Sequence, residues 1–590
     1  IDNFVELVDD QSWEEFMPRD VTKEVFLRFK RYYDPDVFRE AGKRIREIAR
    51  MADKFTIEER IGRITALFAT FRNPDKETVL TPWRVVNMHL ADSLGGYCFM
   101  DKAFAQPLDT PRQVMIKGVT DKVFHPKSRI LEINSKSGLY PLYAAYSIYR
   151  ALLQKASEKY GEVNRAFALQ LWDQTLEENI LVVCKTPMAR SITRRTLAGF
   201  RKTVVHAEYY PELIEAITTK SDCVVNMLRS GKRFWKINDD EMMKIDAVIG
   251  NPPYQVMNKG EGNGSDPVYH RFLDLAMILA PQGSLVHPAR FLFNAGKTPK
   301  EWNAKMLADS HYKVVDYWAN SMEVFSTVDV KGGIATSYWN RDMVFTPIGL
   351  FTPFEELRGI KSKVAKFSSG SLADMVAPRE LYRITDDLYA EHSEWESRQS
   401  KGHKYSFGAN IFDVFPEIFF DECPQGKEDE MARVYGRANN ERCYKWCKRS
   451  YITHPENFYR YKVILPKSNG SGAIGEVLST PILGTPILGT PILGYTDTFI
   501  SVGAFEERGE AEACLKYVKT RFARTMLGML KVTQDNPKDT WRLVPLQDFT
   551  SSSDIDWSRS VDEIDAQLYR KYGLDPSEIA FIKEKVRPME

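Results

Sequence analysis

DAVIGNPPYQ (246–255) decides how this chain reads. DAVIG (246–250) is a short apolar run with β-branched character, the pattern of a strand buried on both faces. Pro252 and Pro253 then end any regular element, because Pro252 has no N–H and Pro253 forces it toward an extended conformation. A stiff loop leaves the strand with the Pro252 carbonyl facing outward, beside an Asn251 side chain that offers an acceptor and a donor. Two such acceptors suit the two hydrogens of a planar NH2 group, and Tyr254 offers a face to the ring that bears it. Accepting both N–H bonds drives the nitrogen lone pair toward an electrophile, and a methyl sulfonium is the electrophile that suits.

Further runs of the same kind are RILEIN (129–134), ILVVC (180–184), TVVHA (203–207), GSLVH (283–287) and KVVDYW (313–318). They alternate with amphipathic helices over residues 76–345, which argues for βαβ units and a mostly parallel, doubly wound α/β sheet. Ligands on such sheets sit at the carboxyl ends of the strands, near the switch point, so the residues after each run are where chemistry is expected. Residues 1–75 carry helical spacing and caps, as in ERIGRITALFATF (59–71), and read as a helical N-terminal module. Residues 346–405 are mixed and charged and read as a connector. Residues 406–550 are irregular, aromatic and glycine-punctuated, and 551–590 return to helix, with Asp575 as N-cap, Pro576 in the first turn and Glu578 closing a capping box. The repeat TPILGTPILGTPILG (480–494) has too short a period for a solenoid and a proline in every copy, so it reads as an extended loop or a local duplication.

The totals bound the class. At 590 residues the chain exceeds a single core and is expected to be multidomain. Hydrophobic residues at 43%, charged residues at 27% and a mean hydropathy of -0.37 describe a soluble globular protein, and no apolar run is long enough to span a membrane. Cys98, Cys184, Cys223, Cys423, Cys443, Cys447 and Cys514 are few, odd in number and scattered, which points to reduced thiols in a cytoplasmic compartment. Their spacing matches no common zinc pattern, so no metal is expected. The net charge of +1 does not advertise a polyanion partner for the chain as a whole. Residue 1 is Ile, and the chain is expected to be a piece of something longer.

NPPY after an apolar strand resembles motif IV of the amino-methyltransferases that use S-adenosylmethionine, and the order of the other motifs resembles the gamma-class DNA adenine N6-methyltransferases. The resemblance implies a Rossmann-like methyltransferase sheet and these roles. Asn251, Pro252, Pro253 and Tyr254 would form the catalytic loop. Thr81 and Pro82, in VLTPWRVVNMHLAD (79–92), would lie over the methionine end of the cofactor. RILEINSKSGLY (129–140) is similar to motif I, with Glu132, Asn134 and Gly138 as cofactor-binding positions. Glu208 would lie near the cofactor's adenine. VFSTVDVKGGIATSYWNRD (324–342) is similar to motif VIII, in which Phe325 would stack on the opposite face of a flipped base from Tyr254. Segments of the C-terminal half, VYGRANNERCYKWCKRSYI (434–452) among them, are similar to the target-recognition portions of large restriction-modification methylases of the type IIG kind, and imply a mixed α+β recognition domain. Three positions depart from the pattern, among them Ile133, where motif I often has proline. Lys136 stands where motif I usually has glycine, and Cys184 stands where an acidic residue after the second strand normally takes the ribose hydroxyls.

Local charge supports a duplex partner. Between Met431 and Gly472, Arg433, Arg437, Arg442, Lys445, Lys448, Arg449, Arg460, Lys462 and Lys467 face only Glu441 and Glu456, with seven aromatic residues interleaved. That mixture suits phosphate contact and base stacking, with Arg433, Arg437, Arg442, Lys445, Lys448, Arg449 and Lys467 as the candidates for DNA binding. The expected activity is methylation of adenine in DNA within a restriction-modification or phage-defence system. NPPY also occurs in RNA and protein-glutamine methyltransferases, against which the long basic C-terminal half speaks. The other reading is a catalytically weak recognition subunit serving a partner nuclease or helicase. Neither a nuclease motif nor a GxxxxGK[ST] phosphate loop occurs in the chain, so those activities would belong to segments or subunits outside it.

Overall fold

The computed structural model describes residues 2–18, 20–71, 80–237, 242–257, 265–293, 296–325, 330, 332–352, 354–367, 369–400, 402–439, 441–468, 484–531 and 535–589. The chain forms two compact units, Ile1–Phe351 and Thr352–Glu590. No helix among the described residues is long and apolar enough to cross a membrane.

The first unit is mixed α/β, built on one seven-stranded mixed sheet. Its strands are β1 (Ile130–Ser135), β2 (Ile180–Cys184), β3 (His206–Tyr209), β4 (Ala247–Gly250), β5 (Gln282–Pro288), β6 (Tyr312–Trp318) and β7 (Ile334–Asn340), in the order β3-β2-β1-β4-β5-β7-β6. The first five are mutually parallel, and β7 runs antiparallel between β5 and β6. Order reverses beside β1, where β2 leaves on one side and β4 on the other, so the switch point lies between β1 and β4.

Alternation along the strands explains why both faces are covered. Ile180, Val182 and Cys184 join one core cluster, packed under the helices α2 (Leu139–Tyr160), α3 (Arg165–Asn179) and α4 (Pro187–Ala198). Leu181 and Val183 join the opposite cluster with residues of Leu213–Thr219, Ser221–Leu228 and Tyr269–Leu279. Ala247 and Ile249 face the first cluster and Val248 the second. Each fully buried aliphatic side chain of this kind contributes roughly 2 kcal/mol, which is why apolar runs without polar alternation are the right reading of a sheet sandwiched by helices. Before the sheet come helices from Asp2–Leu7 to Ile57–Ala69, and the helix α1 (Trp83–Ser93) follows Pro82.

Three sequence expectations shift. The run TVVHA starts too early: pairing of Leu181 with His206 and of Val183 with Glu208 sets the strand at His206–Tyr209, so Glu208 lies inside β3 rather than after it. The strand β7 hides in the motif VIII segment, where burial of every residue from Ile334 to Asn340 removes the period-two signal. The repeat is not simply loop. Ile487–Gly489, from its second copy, and Leu493–Tyr495, which starts in the third copy and ends one residue past it, are edge strands in two three-stranded sheets, starting one and two residues after a proline, where the missing N–H does no harm; residues 480–483 lie outside the described residues.

The second unit centres on those two sheets. One holds the antiparallel hairpin Met431–Ala438 and Glu441–Lys448, the other Tyr461–Pro466 between Ile487–Gly489 and Phe499–Phe505. The capping box at Asp575 forms as its sequence predicts, with the Ser577 and Glu578 amides donating to the Asp575 carboxylate and the Asp575 amide donating to Glu578.

Candidate functional site

Strand β4 ends at Gly250 with φ +147, a conformation a side chain would strain, and a Cβ there would lie 3.4 Å from Cγ of Glu132. The chain therefore passes close over the end of β1 before Asn251. Asn251 Nδ2 donates to Thr81 Oγ1 at 3.1 Å, which ties the catalytic-loop candidate to the segment before α1. With its amide committed there, Asn251 Oδ1 is buried and has no hydrogen-bond donor among the described residues. Pro252 is buried and Pro253 half-buried behind it.

The backbone carbonyl of Tyr254 accepts from the Val268 amide at 3.1 Å, and its half-buried ring packs with Val85, Met88, Val286 and Phe325. Burial drives its phenol well above the ordinary range, so it stays protonated. Phe325 is 2% exposed in that same cluster, held by its amide donating to the Ser321 carbonyl at 2.8 Å. Tyr254, half-buried, thus packs against the apolar cluster that holds the buried Phe325.

Motif I supplies the other side. Asn134 adopts φ +70, unusual for a residue other than glycine, and is buried with Oδ1 unpartnered among the described residues. Gly138 starts α2 at φ +77, and a Cβ on it would meet Thr193 Cα at 3.1 Å, so both the backbone and the neighbouring helix require glycine. Its amide donates to Ser135 Oγ at 3.1 Å, which draws the loop tight. Glu132 is buried, its Oε2 lacks a partner among the described residues, and burial pushes its carboxyl from the usual 4.5 to about 8, with the Ser135 hydroxyl opposing part of the rise. Three oxygens that want hydrogen bonds, from Glu132, Asn134 and Asn251, therefore gather at the carboxyl ends of β1 and β4. Each costs about 1–3 kcal/mol if left unmet.

Sequence reasoning missed the clamp that holds this arrangement. His89 on α1 bonds Tyr140 Oη at 2.9 Å through Nδ1 and Ser284 Oγ at 2.7 Å through Nε2, joining α1 to α2 and β5. Full burial lowers its pKa to about 3, so the ring is neutral. Arg84 adds a second tie, donating to the Glu323 carbonyl at 2.6 Å two residues before Phe325. Only the helical spacing of MHLAD could have drawn attention to His89, and a buried histidine gives no other sign in sequence.

The remaining candidates are placed differently. Glu208 is engaged by Arg194 at 2.8 Å, Arg190 at 3.4 Å and Lys236 at 3.9 Å, so its carboxylate is already met by cations of this chain. Cys184 is fully buried at the end of β2, and burial keeps its thiol protonated.

In the second unit, Arg437 and Arg442 stand directly opposite one another across the hairpin, both exposed. Like charges in register repel, which an anion between them would relieve. Arg442 also donates to the Thr485 carbonyl at 3.3 Å. Arg433 lies over the rings of Tyr444 and Trp446 at 4.2 and 5.8 Å. Lys445 pairs with Asp421, Lys448 with Glu391, and Lys467 with Asp497 at 2.6 Å, while Arg449 donates to the Met431 carbonyl at 3.5 Å.

Comparison with known proteins bears on this geometry. Residues 178–325, which span β2 through NPPY to Phe325, match the family model of the Eco57I restriction-modification methylase. An adenine-specific methylase of Mycoplasma pneumoniae, itself uncharacterised, is 28% identical over 141 residues, which are 21% of this chain and 33% of that protein. The match thus spans about a third of that relative's length. Among solved structures, the type IIL restriction-modification enzyme MmeI in complex with DNA aligns at 8% identity over 78% of this chain and 72% of that one, with a TM-score of 0.37. The type IIG restriction endonuclease BpuSI aligns at 9% identity over 90% and 67%, with a TM-score of 0.35. The family recognised from the NPPY series is the one the comparison returns: the chain resembles the adenine methylases of restriction-modification systems.

Proposed function

We propose that this chain, whose residues 178–325 match the family model of a restriction-modification methylase, methylates the exocyclic N6 amine of adenine in DNA, using S-adenosylmethionine. The single observation that carries the reading is the set of orphaned buried oxygens at the ends of β1 and β4, Glu132 Oε2, Asn134 Oδ1 and Asn251 Oδ1. They sit at the switch point of a seven-stranded sheet whose order, with one antiparallel strand inserted before the last, supports a doubly wound, Rossmann-like methyltransferase fold. Two amide oxygens without donors, beside a carboxyl that burial keeps protonated, fit a ligand that both donates and accepts hydrogen bonds. The cofactor, when bound, supplies an electrophilic methyl on a sulfonium.

The residues of this chain do the rest by position. Asn251, its amide held on Thr81, turns Oδ1 toward the incoming amine, and the Pro252 carbonyl provides the second acceptor. As Oδ1 accepts from the amine, the nitrogen lone pair is freed for in-line attack on the methyl. The N–C bond forms as the S–C bond breaks and a neutral thioether leaves. The cationic methylated amine gives up its extra proton to solvent, so no strong base is needed. Tyr254 provides a face for a base flipped out of the duplex, at a cost of a few kcal/mol, with Phe325 forming the wall beside it. Thr81 and Pro82 would border the methionine end of the cofactor, and Asn134 and Gly138 would shape the turn beneath it. In the second unit, the hairpin of Arg437 and Arg442 supports phosphate contact with a double-stranded partner. Nuclease or helicase functions would come from segments or subunits beyond this chain.

Cys184 and Lys136 favour a second reading, a recognition subunit that binds DNA and methylates slowly. The deciding experiment is transfer of labelled methyl from S-adenosylmethionine to unmethylated bacterial genomic DNA. Label on adenine supports the enzyme; no label, with measurable DNA binding, supports the recognition subunit.

A further inference from the structure

The end of β2 holds a carboxylate that does not come from β2. The N-terminal helix Asp10–Phe16 lies against the loop that follows Cys184: Ser12 Oγ accepts from the Met188 amide at 3.2 Å, and Glu15 Oε2 accepts from the Thr186 hydroxyl. Thr186 in turn caps α4, its Oγ accepting from the Ala189 amide at 3.2 Å, so its one hydroxyl proton is directed at Glu15. Glu15 is 4% exposed, and its second oxygen, Oε1, is buried with no partner among the described residues. Burial raises its carboxyl above the ordinary value, and the positive charges of Lys136 in the motif I loop and of Lys185, with the Thr186 hydrogen bond, oppose part of that rise; Cys184 lies under the influence of both Glu132 and Glu15. One short helix thus carries a buried carboxylate to the loop that follows β2, within electrostatic reach of Lys136 in the β1 turn.

A buried carboxylate with one oxygen held and the other open is a poor structural group, since the open oxygen forfeits hydrogen bonds it had in water. It is a good binding group for a pair of neighbouring hydroxyls, which donate two charge-assisted hydrogen bonds to one carboxylate. In nucleotide-binding doubly wound sheets an acidic side chain meets the ribose hydroxyls. Nothing on β2 can do so here, because the terminal residue is a neutral, buried thiol. We infer that Glu15, delivered from the N-terminal helix, accepts the ribose hydroxyls of the nucleoside-bearing cofactor in place of a residue on β2, and that the N-terminal helix is therefore part of the cofactor site. This rests on the methyltransferase reading above. It also gives Lys136 a purpose in its unusual position, as a positive charge that opposes the rise burial imposes on the Glu15 carboxyl.

Calorimetric titration of the full chain with S-adenosylhomocysteine and with its 2′,3′-dideoxy analogue tests this without any turnover. Glu15→Gln is expected to weaken S-adenosylhomocysteine about 10- to 100-fold while leaving the weaker dideoxy analogue nearly unchanged. Glu15→Asp, which keeps the charge but withdraws it by one methylene, should show the same selective loss and carries the test if the glutamine variant fails to fold by circular dichroism. Selective loss for the ligand with hydroxyls sustains the inference. Unchanged affinity in both variants, or equal loss for both ligands, overturns it and leaves the methyltransferase reading standing. Failure of the unaltered chain to bind S-adenosylhomocysteine would instead remove the reading on which it rests.

Discussion

The strand-end site of the first unit and the basic hairpin of the second were equally prominent in the sequence, yet they are built on opposite principles. At the ends of β1 and β4, polar groups are buried and left wanting, with Glu132, Asn134 and Asn251 each carrying an oxygen without a donor among the described residues. On and around the hairpin, most cations already have company: Lys445, Lys448 and Lys467 hold carboxylates, and Arg433 lies over aromatic rings. A preorganised site stores its unmet bonds until a ligand arrives, whereas a charged surface trades one set of partners for another when a polyanion binds. Substitutions in the first should act steeply and on chemistry, those in the second gently and on affinity.

The steepest effect should come from Asn251→Ala. On the proposed mechanism this removes the acceptor for the amine and spares the fold and the cofactor site, so methyl transfer to unmethylated DNA should fall by about 10²–10³-fold with S-adenosylhomocysteine binding within a few-fold of normal. Loss of both together would mean that Asn251 holds the site in shape, and the contrast with the hairpin would blur.

Next comes the cross-strand pair Arg437 and Arg442, the two candidates that stand exposed and in register. Replacing both by alanine should weaken duplex binding on the order of 10-fold at low salt and flatten its salt dependence by up to about two in logarithmic slope. A fluorescence anisotropy titration at several salt concentrations measures both. An unchanged slope would take the hairpin out of the interface.

Stability against pH gives a third, smaller signal, confined to the first site. The Glu132 carboxyl titrates near 4.5 in the unfolded chain and at about 8 in the native protein, so between those values the native state holds a proton the unfolded state has lost. Its contribution is fully present below about 4.5 and drains away as pH rises to about 8. The ligand-free protein should therefore lose thermal stability across that window relative to Glu132→Gln, whose neutral amide does not titrate. Other buried acids, Asp92 and Asp565, also titrate there at about 6, but they are common to both proteins, so the difference in melting temperature isolates Glu132. A constant difference across the window would show that this carboxyl is ionised in the folded chain.

How much of this was legible follows from what each feature asks of the sequence. β4 and its NPPY loop were plain because two prolines after an apolar strand have no other use, and Gly138 was marked by the likeness of RILEINSKSGLY to motif I, its left-handed conformation emerging only in the fold. β7 was not marked as a strand, because burial on both faces erased its alternation. Glu208 was misplaced because a strand's ends depend on its neighbour's register, which composition does not carry. The ion pairs of Lys445 and Lys448 join residues distant in sequence, so counting charges along the chain saw the cations and not the carboxylates that fold against them. Glu15 lies far from motif I in sequence, in a helix whose only visible signal was its cap.

The smallest expected effect is the one that separates counted charge from available charge. Lys445 lies in the same hairpin as Arg442 and looks equivalent in sequence, but its ammonium is paired with Asp421 and its side chain is only 20% exposed. A phosphate that recruits Lys445 must also strand Asp421, so what it gains is offset by the partner it displaces. Lys445→Ala should therefore change duplex affinity by less than about 2-fold. Asp421→Ala should strengthen binding slightly, because it frees a cation that is already in place. If Lys445→Ala instead costs as much as the Arg437 and Arg442 pair, the hairpin reorganises on meeting DNA, and the first unit's site is the only one of the two that is set before its ligand arrives.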